Sequence, residues 1–86
     1  MIEKLLEYVK KEGLDDVFFY NTNGYDVGHI SLMKYRNGKC SAFVNGERGY
    51  EAMIMNVSEK EACDFCYKYL EYEKIYREQI GGSKQK

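Results

Sequence analysis

ISLMKYRNGKCSAFVN, residues 30–45, holds the clearest turn signal of the chain between two runs rich in apolar and β-branched residues. Asn37-Gly38 is the pair that a two-residue type I′ hairpin requires, because both central residues of that turn take positive φ. The stretch therefore predicts two antiparallel strands, one from about Val27 to Arg36 and one from Lys39 to Asn45. A two-residue loop sets Arg36 opposite Lys39, Tyr35 opposite Cys40, Met33 opposite Ala42 and Leu32 opposite Phe43. One face then carries Met33, Tyr35, Cys40, Ala42 and Val44. The other mixes Ile30, Leu32 and Phe43 with Lys34, Arg36, Lys39 and Ser41, so the first is the cleaner core face.

Working outward, Ile2, Leu5, Leu6 and Val9 recur at helical spacing, and Gly13 stands where a helix terminates, so residues 2–12 read as a helix. Val17-Phe18-Phe19-Tyr20 reads as a short strand, and Asn21-Thr22-Asn23-Gly24 as the turn after it. On the other side, Gly46-Glu47-Arg48-Gly49 is a turn with two charges at its tip. Glu51 to Val57 alternates as a fourth strand. Ser58 and Glu61 form a capping box that opens a long helix. Gly81-Gly82 is expected to stop that helix at about Gln79 or Ile80. The expected fold is α+β: an N-terminal helix, a four-stranded antiparallel meander, and a long C-terminal helix packed on one face of the sheet. Residues 1–80 make a single domain and residues 81–86 a disordered tail.

The long helix carries Ala62, Phe65, Cys66, Tyr69, Tyr76 and Ile80 on one face, with Leu70 and Tyr72 at its edges. Glu73 interrupts that stripe and Ile75 lies outside it, which suggests that burial ends there. A helix of about 22 residues spans ~33 Å, against roughly 17–20 Å for a strand of five or six, so its last turns would overhang the sheet. Tyr72, Ile75 and Tyr76 would then form a contact patch. Glu47, Arg48 and Tyr50, at the charged turn, are the alternative one. The competing reading is that the first helix covers this end.

Eighty-six residues allow one domain with a small core. Thirteen Lys and Arg against fourteen Asp and Glu give a net charge of −1, without the basic footprint that a nucleic-acid partner demands. No polybasic run suits a membrane surface, and no stretch approaches a membrane-spanning length. Glu3, Lys4 and Glu7 interrupt the apolar start, unlike a secretion signal. Three cysteines do not make a disulfide framework and suit a reducing cytoplasm. Nine tyrosines supply contact area at low entropy cost.

Cys63-Asp64-Phe65-Cys66 has the spacing of a redox or metal motif, but Cys63 lies inside the helix, away from the amide dipoles that would stabilise a thiolate. Cys40, Cys63, Cys66 and His29 count to four ligands without a second Cys-x-x-Cys half. Buried structural thiols are the simpler reading. His29 is the single histidine, with no thiolate expected beside it, and no phosphate-loop, dinucleotide, zincin or nucleophile-elbow motif occurs. No catalytic set, metal or cofactor is assigned, and the chain is not expected to be an enzyme.

Ile30-Ser31-Leu32, Asn37-Gly38-Lys39, Gly46-Glu47-Arg48-Gly49 and Ser58-Glu59-Lys60-Glu61-Ala62-Cys63-Asp64-Phe65 together resemble the small immunity proteins of bacterial polymorphic toxin systems, nearest to the group called immunity protein 59. The likeness spans roughly residues 1–72. It implies a cytoplasmic protein, monomer or weak homodimer, that neutralises the C-terminal domain of a cognate toxin by tight non-covalent binding. A small interaction or adaptor domain is the alternative, with a cysteine-based metal or redox protein behind it.

Overall fold

The computed structural model describes the backbone of residues 1–84 and the side chains of residues 1–79. Its order is α1 (Ile2–Lys11), β1 (Phe18–Tyr20), β2 (Ile30–Lys34), β3 (Cys40–Gly46), β4 (Gly49–Val57) and α2 (Glu59–Lys84). The strands form one sheet in sequence order. Thus the α+β class, the element order and the antiparallel pairing of β2, β3 and β4 match the expectation, and the direction of β1 does not.

The hairpin that decides the fold forms one residue out of the expected register. Lys34 faces Cys40, Leu32 faces Ala42 and Ile30 faces Val44. Gly38 takes φ 86° and Asn37 has no positive φ, so a type I′ turn is excluded. The Gly38 N–H instead bonds to the Tyr35 carbonyl (3.0 Å) and Tyr35 N–H to Lys39 (2.9 Å), while Asn37 Oδ1 accepts from Lys39 N–H (2.9 Å). This is the three-residue loop in which a left-handed glycine makes a bulge. A one-residue slip exchanges faces. Cys40, Ala42 and Val44 are buried as expected, but beside Ile30 and Leu32, whereas Met33 and Tyr35 go to the opposite face. This register places every medium-sized aliphatic side chain of β2 and β3 in the core, and the expected one did not.

The sheet is mixed, because β1 runs parallel to β2, with Phe18 beside Ile30 and Tyr20 beside Leu32. Asn21-Thr22-Asn23-Gly24 therefore does not close an antiparallel hairpin. Asn21 turns the chain with φ 59°, and residues 21–29 fold back across the sheet. Ser31 Oγ accepts the Gly24 N–H (3.0 Å), and Asn45 Nδ2 donates to the carbonyls of Gly24 (2.9 Å) and Asp26 (3.2 Å). Parallel strands usually need a crossover of a dozen residues or more. A shorter loop suffices because the paired stretch of β1 is only Phe18–Tyr20.

Helix α1 ends as its sequence predicts. Gly13 has φ 68°, Leu14 N–H reaches the Val9 carbonyl (2.8 Å) and Gly13 N–H that of Lys10 (3.2 Å), the two bonds of a Schellman end. The Ser58–Glu61 box is made reciprocally: Ser58 N–H donates to Glu61 Oε1 (3.2 Å) and Glu61 N–H to Ser58 Oγ (3.1 Å). Helix α2 lays Ala62, Cys63, Cys66 and Leu70 on the Ile30–Leu32–Cys40–Ala42–Val44 face, and α1 adds Ile2, Leu5 and Val9 to the same core. Tyr8 and Tyr67 meet edge to face at 5.3 Å between the two helices. Leu6, expected in the α1 stripe, is 37% exposed. The helical backbone of α2 continues past Gly81 and Gly82 to Lys84, so the stop expected near Ile80 does not occur. A helical glycine costs only about 1 kcal/mol relative to alanine. Gln85 and Lys86, the end of the expected disordered tail, lie outside the described residues.

Candidate partner-binding surface

The two contact patches expected from the sequence, taken there as alternatives, lie along one margin of the molecule. Between α2 and the sheet runs a groove of about 330 Å³ lined by Gly28, Ile30, Val44, Glu51, Tyr69, Tyr72, Glu73 and Tyr76. A second hollow of about 440 Å³ is lined by Val27, Gly46, Glu47, Arg48, Gly49, Tyr50 and Glu51. Glu51 belongs to both, and the neighbours Val27 and Gly28 stand one in each. Tyr72 and Tyr76 of the helix are thus joined to Glu47, Arg48 and Tyr50 of the turn. Ile75 lines neither hollow and stands half-exposed on α2.

Backbone geometry explains the joint. β4 carries an extra residue where the pairing passes from Val44–Ala52 to Asn45–Tyr50. That residue is Glu51, and a bulge of this kind re-aims the side chain it carries. Nearby, Tyr50 stacks on Phe43 with ring centres 4.8 Å apart. On the helix, Tyr69 and Tyr72 sit one turn apart with rings perpendicular at 5.6 Å, and Phe65 backs Tyr69 at 4.8 Å.

Glu73, which interrupts the apolar stripe, is held in place. Arg77 Nε donates to Glu73 Oε2 (2.9 Å), while the rest of the guanidinium reaches the Gly13 carbonyl (3.0 Å) and both oxygens of Asp16 (2.9 Å). The end of α1 and the turn after it therefore do pack on this part of α2, with Lys74 also paired to Glu12 at 3.4 Å. They leave Tyr72, Ile75 and Tyr76 open. Glu51 makes no ion pair among the described residues, whereas Glu73 shares Arg77. Tyrosine faces beside carboxylates form a surroundings suited to an organic cation. Lys68 Nζ already lies 5.6 Å from the Tyr69 ring centre.

Sequence reasoning missed Glu51, which belongs to the joint, and Met53 and Met55, which lie outside it. Those methionines point to the sheet face that α2 does not cover and are about half exposed. The alternation of β4 puts Met53, Met55 and Val57 on one side. The structure keeps the two methionines together, but a register shift at Asn56 turns Val57 to the core opposite Cys40. Nothing local showed that the methionine side is open.

The three cysteines are free and buried. Burial pushes the Cys63 thiol up to about 11, and it raises Cys66 and Cys40 as well, with the Glu59 charge adding to Cys63 and Cys40. A raised thiol is the reverse of what a redox or metal-binding cysteine needs. Among the described residues no three His, Cys, Asp or Glu side chains converge as metal ligands. His29 is not on the core side of β2 near Cys40. Its Nδ1 accepts N–H groups of Tyr25 (3.2 Å) and Asp26 (3.3 Å), and its ring lies 4.8 Å from that of Phe19, so it organises the 21–29 loop. No described helix is long and apolar enough to cross a membrane. No protein-family model, characterised protein or solved structure matches the chain.

Proposed function

We propose that this domain is a toxin-immunity protein that holds the C-terminal domain of a cognate toxin through the margin where α2 meets the β3–β4 turn. The observation that supports it is the convergence of both tyrosine-bearing patches on Glu51. Tyrosine is, with tryptophan and arginine, one of the residue types enriched in binding hot spots, and a hollow at the centre of a patch is where a hot spot sits. The groove between Tyr69, Tyr72, Tyr76, Glu51 and Glu73 accepts an arginine or lysine side chain of the partner, and the carboxylates select for its charge. Inhibition is by occlusion and needs no bond chemistry from this chain. The site of action is the cytoplasm, where three free thiols stay reduced.

The test is to co-express this chain with any toxin C-terminal domain that the adjacent gene encodes. Survival of the cells and co-purification of the two proteins are expected. Tyr72→Ala with Tyr76→Ala should weaken the complex at least 100-fold, and Glu51→Arg should abolish protection without unfolding the domain. Continued killing with no co-purification would sink the immunity reading. A stable complex indifferent to these three positions would move the site elsewhere.

A further inference from the structure

One face of the sheet has no helix on it. Its outward positions are Met33 on β2, Ser41 and Phe43 on β3, and Tyr50, Met53 and Met55 on β4. A sheet face left to water normally carries polar side chains at such positions. Here the loop of residues 21–29 covers one part, tied down by Ser31 and Asn45. The remainder is apolar and carries no charge. Tyr35, Tyr50, Met53 and Met55 leave 41–57% of their surface open, and Tyr25 and Val27 at the rim leave 90% and 60%. With ~150–200 Å² per large side chain, these six residues together expose roughly 600 Å² of mainly apolar surface. That lies at the upper limit of what monomers tolerate, and a polar rim brings it near the ~800 Å² per partner of a stable interface.

The charges at the two ends of this face indicate its occupant. The hairpin tip carries Arg36 and Lys39, both exposed. The opposite end carries Asp26, drawn in through its carbonyl to Asn45, and Glu47 beside Arg48 at the β3–β4 turn. The face is therefore basic at one end, acidic on balance at the other, and neutral between. A second copy turned about a two-fold axis lying in the contact plane, perpendicular to the strands, sets each basic tip over the other copy's acidic end. The outer edge of β4 is a poor alternative for self-association. Its ladder is irregular at two points, and Asn56 there takes φ 59°, a geometry that twists an edge away from further pairing.

We propose that the open sheet face is an isologous homodimer interface, with two sheets packed face to face and strands antiparallel across it. The face meets the toxin-binding margin at Val27, Glu47 and Tyr50, whereas Met53 and Met55 lie outside that margin, so variants at the two methionines separate the toxin reading from this proposal. Sedimentation equilibrium on the full chain tests it. The expected mass is twice the 10.1 kDa of one chain at micromolar concentration. Met53→Lys with Met55→Lys should give single chains with unchanged far-ultraviolet circular dichroism, since both side chains are already solvent-exposed in one copy. Arg36→Glu with Lys39→Glu should weaken dimerisation at least tenfold. Adding Asp26→Lys and Glu47→Lys to that variant should restore it by reversing both ends. A wild-type chain that stays single up to about 1 mM overturns the proposal, including the case in which another protein covers the face. So does a Met53→Lys, Met55→Lys variant that remains a dimer. Failure of the double charge reversal to restore association overturns the antiparallel arrangement.

Discussion

Arg77 Nη2 lies 2.9 Å from both carboxylate oxygens of Asp16, although 61 residues separate them in the chain. The same guanidinium holds the Gly13 carbonyl and Glu73, so one side chain fastens the α1–β1 turn to α2. The arginine is about one-third exposed, and water screens part of the attraction. Arg77→Ala should cost about 1 kcal/mol, a fall of roughly 4–8 °C in Tm for a domain of this size. Arg77→Lys should recover little of it, since an ammonium cannot address the three partners in their planar arrangement. Thermal unfolding of the two variants checks both statements.

Gly24 is required by a close approach. A Cβ there would meet the His29 side chain at Cβ (2.5 Å), Nδ1 (2.7 Å) and Cγ (2.9 Å). The base of the histidine, unlike a flexible tip, cannot swing away without moving the backbone. Gly24→Ala should therefore push His29 off the Tyr25 and Asp26 amides, at a cost of about 1–3 kcal/mol. Hydrogen exchange should show faster amides across residues 24–28. Unchanged exchange there would contradict this packing.

Legibility in the sequence followed the range of the interactions involved. Gly13, Ser58 and Glu61 act on backbone groups a few residues away, and both helix boundaries they set were readable. Asn37-Gly38 was readable as a turn, but two turn types fit it, and the choice between them moved Ile30 and Leu32 into the core and Met33 out. Their burial was itself the better clue, because the expected register left Ile30 and Leu32 on the charged face. The parallel pairing of β1 rests on Ser31 and Asn45 reaching loop carbonyls and amides that no periodicity reveals. At the candidate site, Glu73 announced itself by breaking the stripe. Glu51 gave no signal, since a bulge in β4 exists only relative to β3.

The thiols make a prediction about reactivity. With Cys63 raised to about 11, roughly one thiolate in a thousand is present at pH 8, against about one in four for a free cysteine near 8.5. Cys40 and Cys66 are fully buried. A disulfide reagent at pH 8 should thus label the native protein at least 100-fold more slowly than the urea-unfolded chain, which should release three equivalents at once. Rapid labelling of one native thiol would point to an opening that the packing does not provide.

The start of α2 predicts how the fold responds to acid. Lys34 Nζ lies 3.1 Å from Glu59 Oε1, and the Ile2 N–H donates to Oε2 at 3.1 Å, which together hold the Glu59 carboxyl below its ordinary range. The Ser58 N–H, then its hydroxyl, lower Glu61 in the same way. A carboxyl lowered on folding binds fewer protons in the native state than in the unfolded one. Its contribution is therefore complete above the unfolded value of about 4.3 and is lost as the pH falls through the lower folded value. Glu59→Gln with Glu61→Gln should be less stable than wild type at pH 7, because a neutral amide loses the charge that draws Lys34 and the helix-end amides. The difference should shrink as the pH falls below about 4, since wild type then approaches the same uncharged condition. Urea midpoints measured at pH 7, 5, 4 and 3 check this. A gap between the two proteins that is constant across the series would mean that packing, and not the charge of Glu59 and Glu61, sets their contribution.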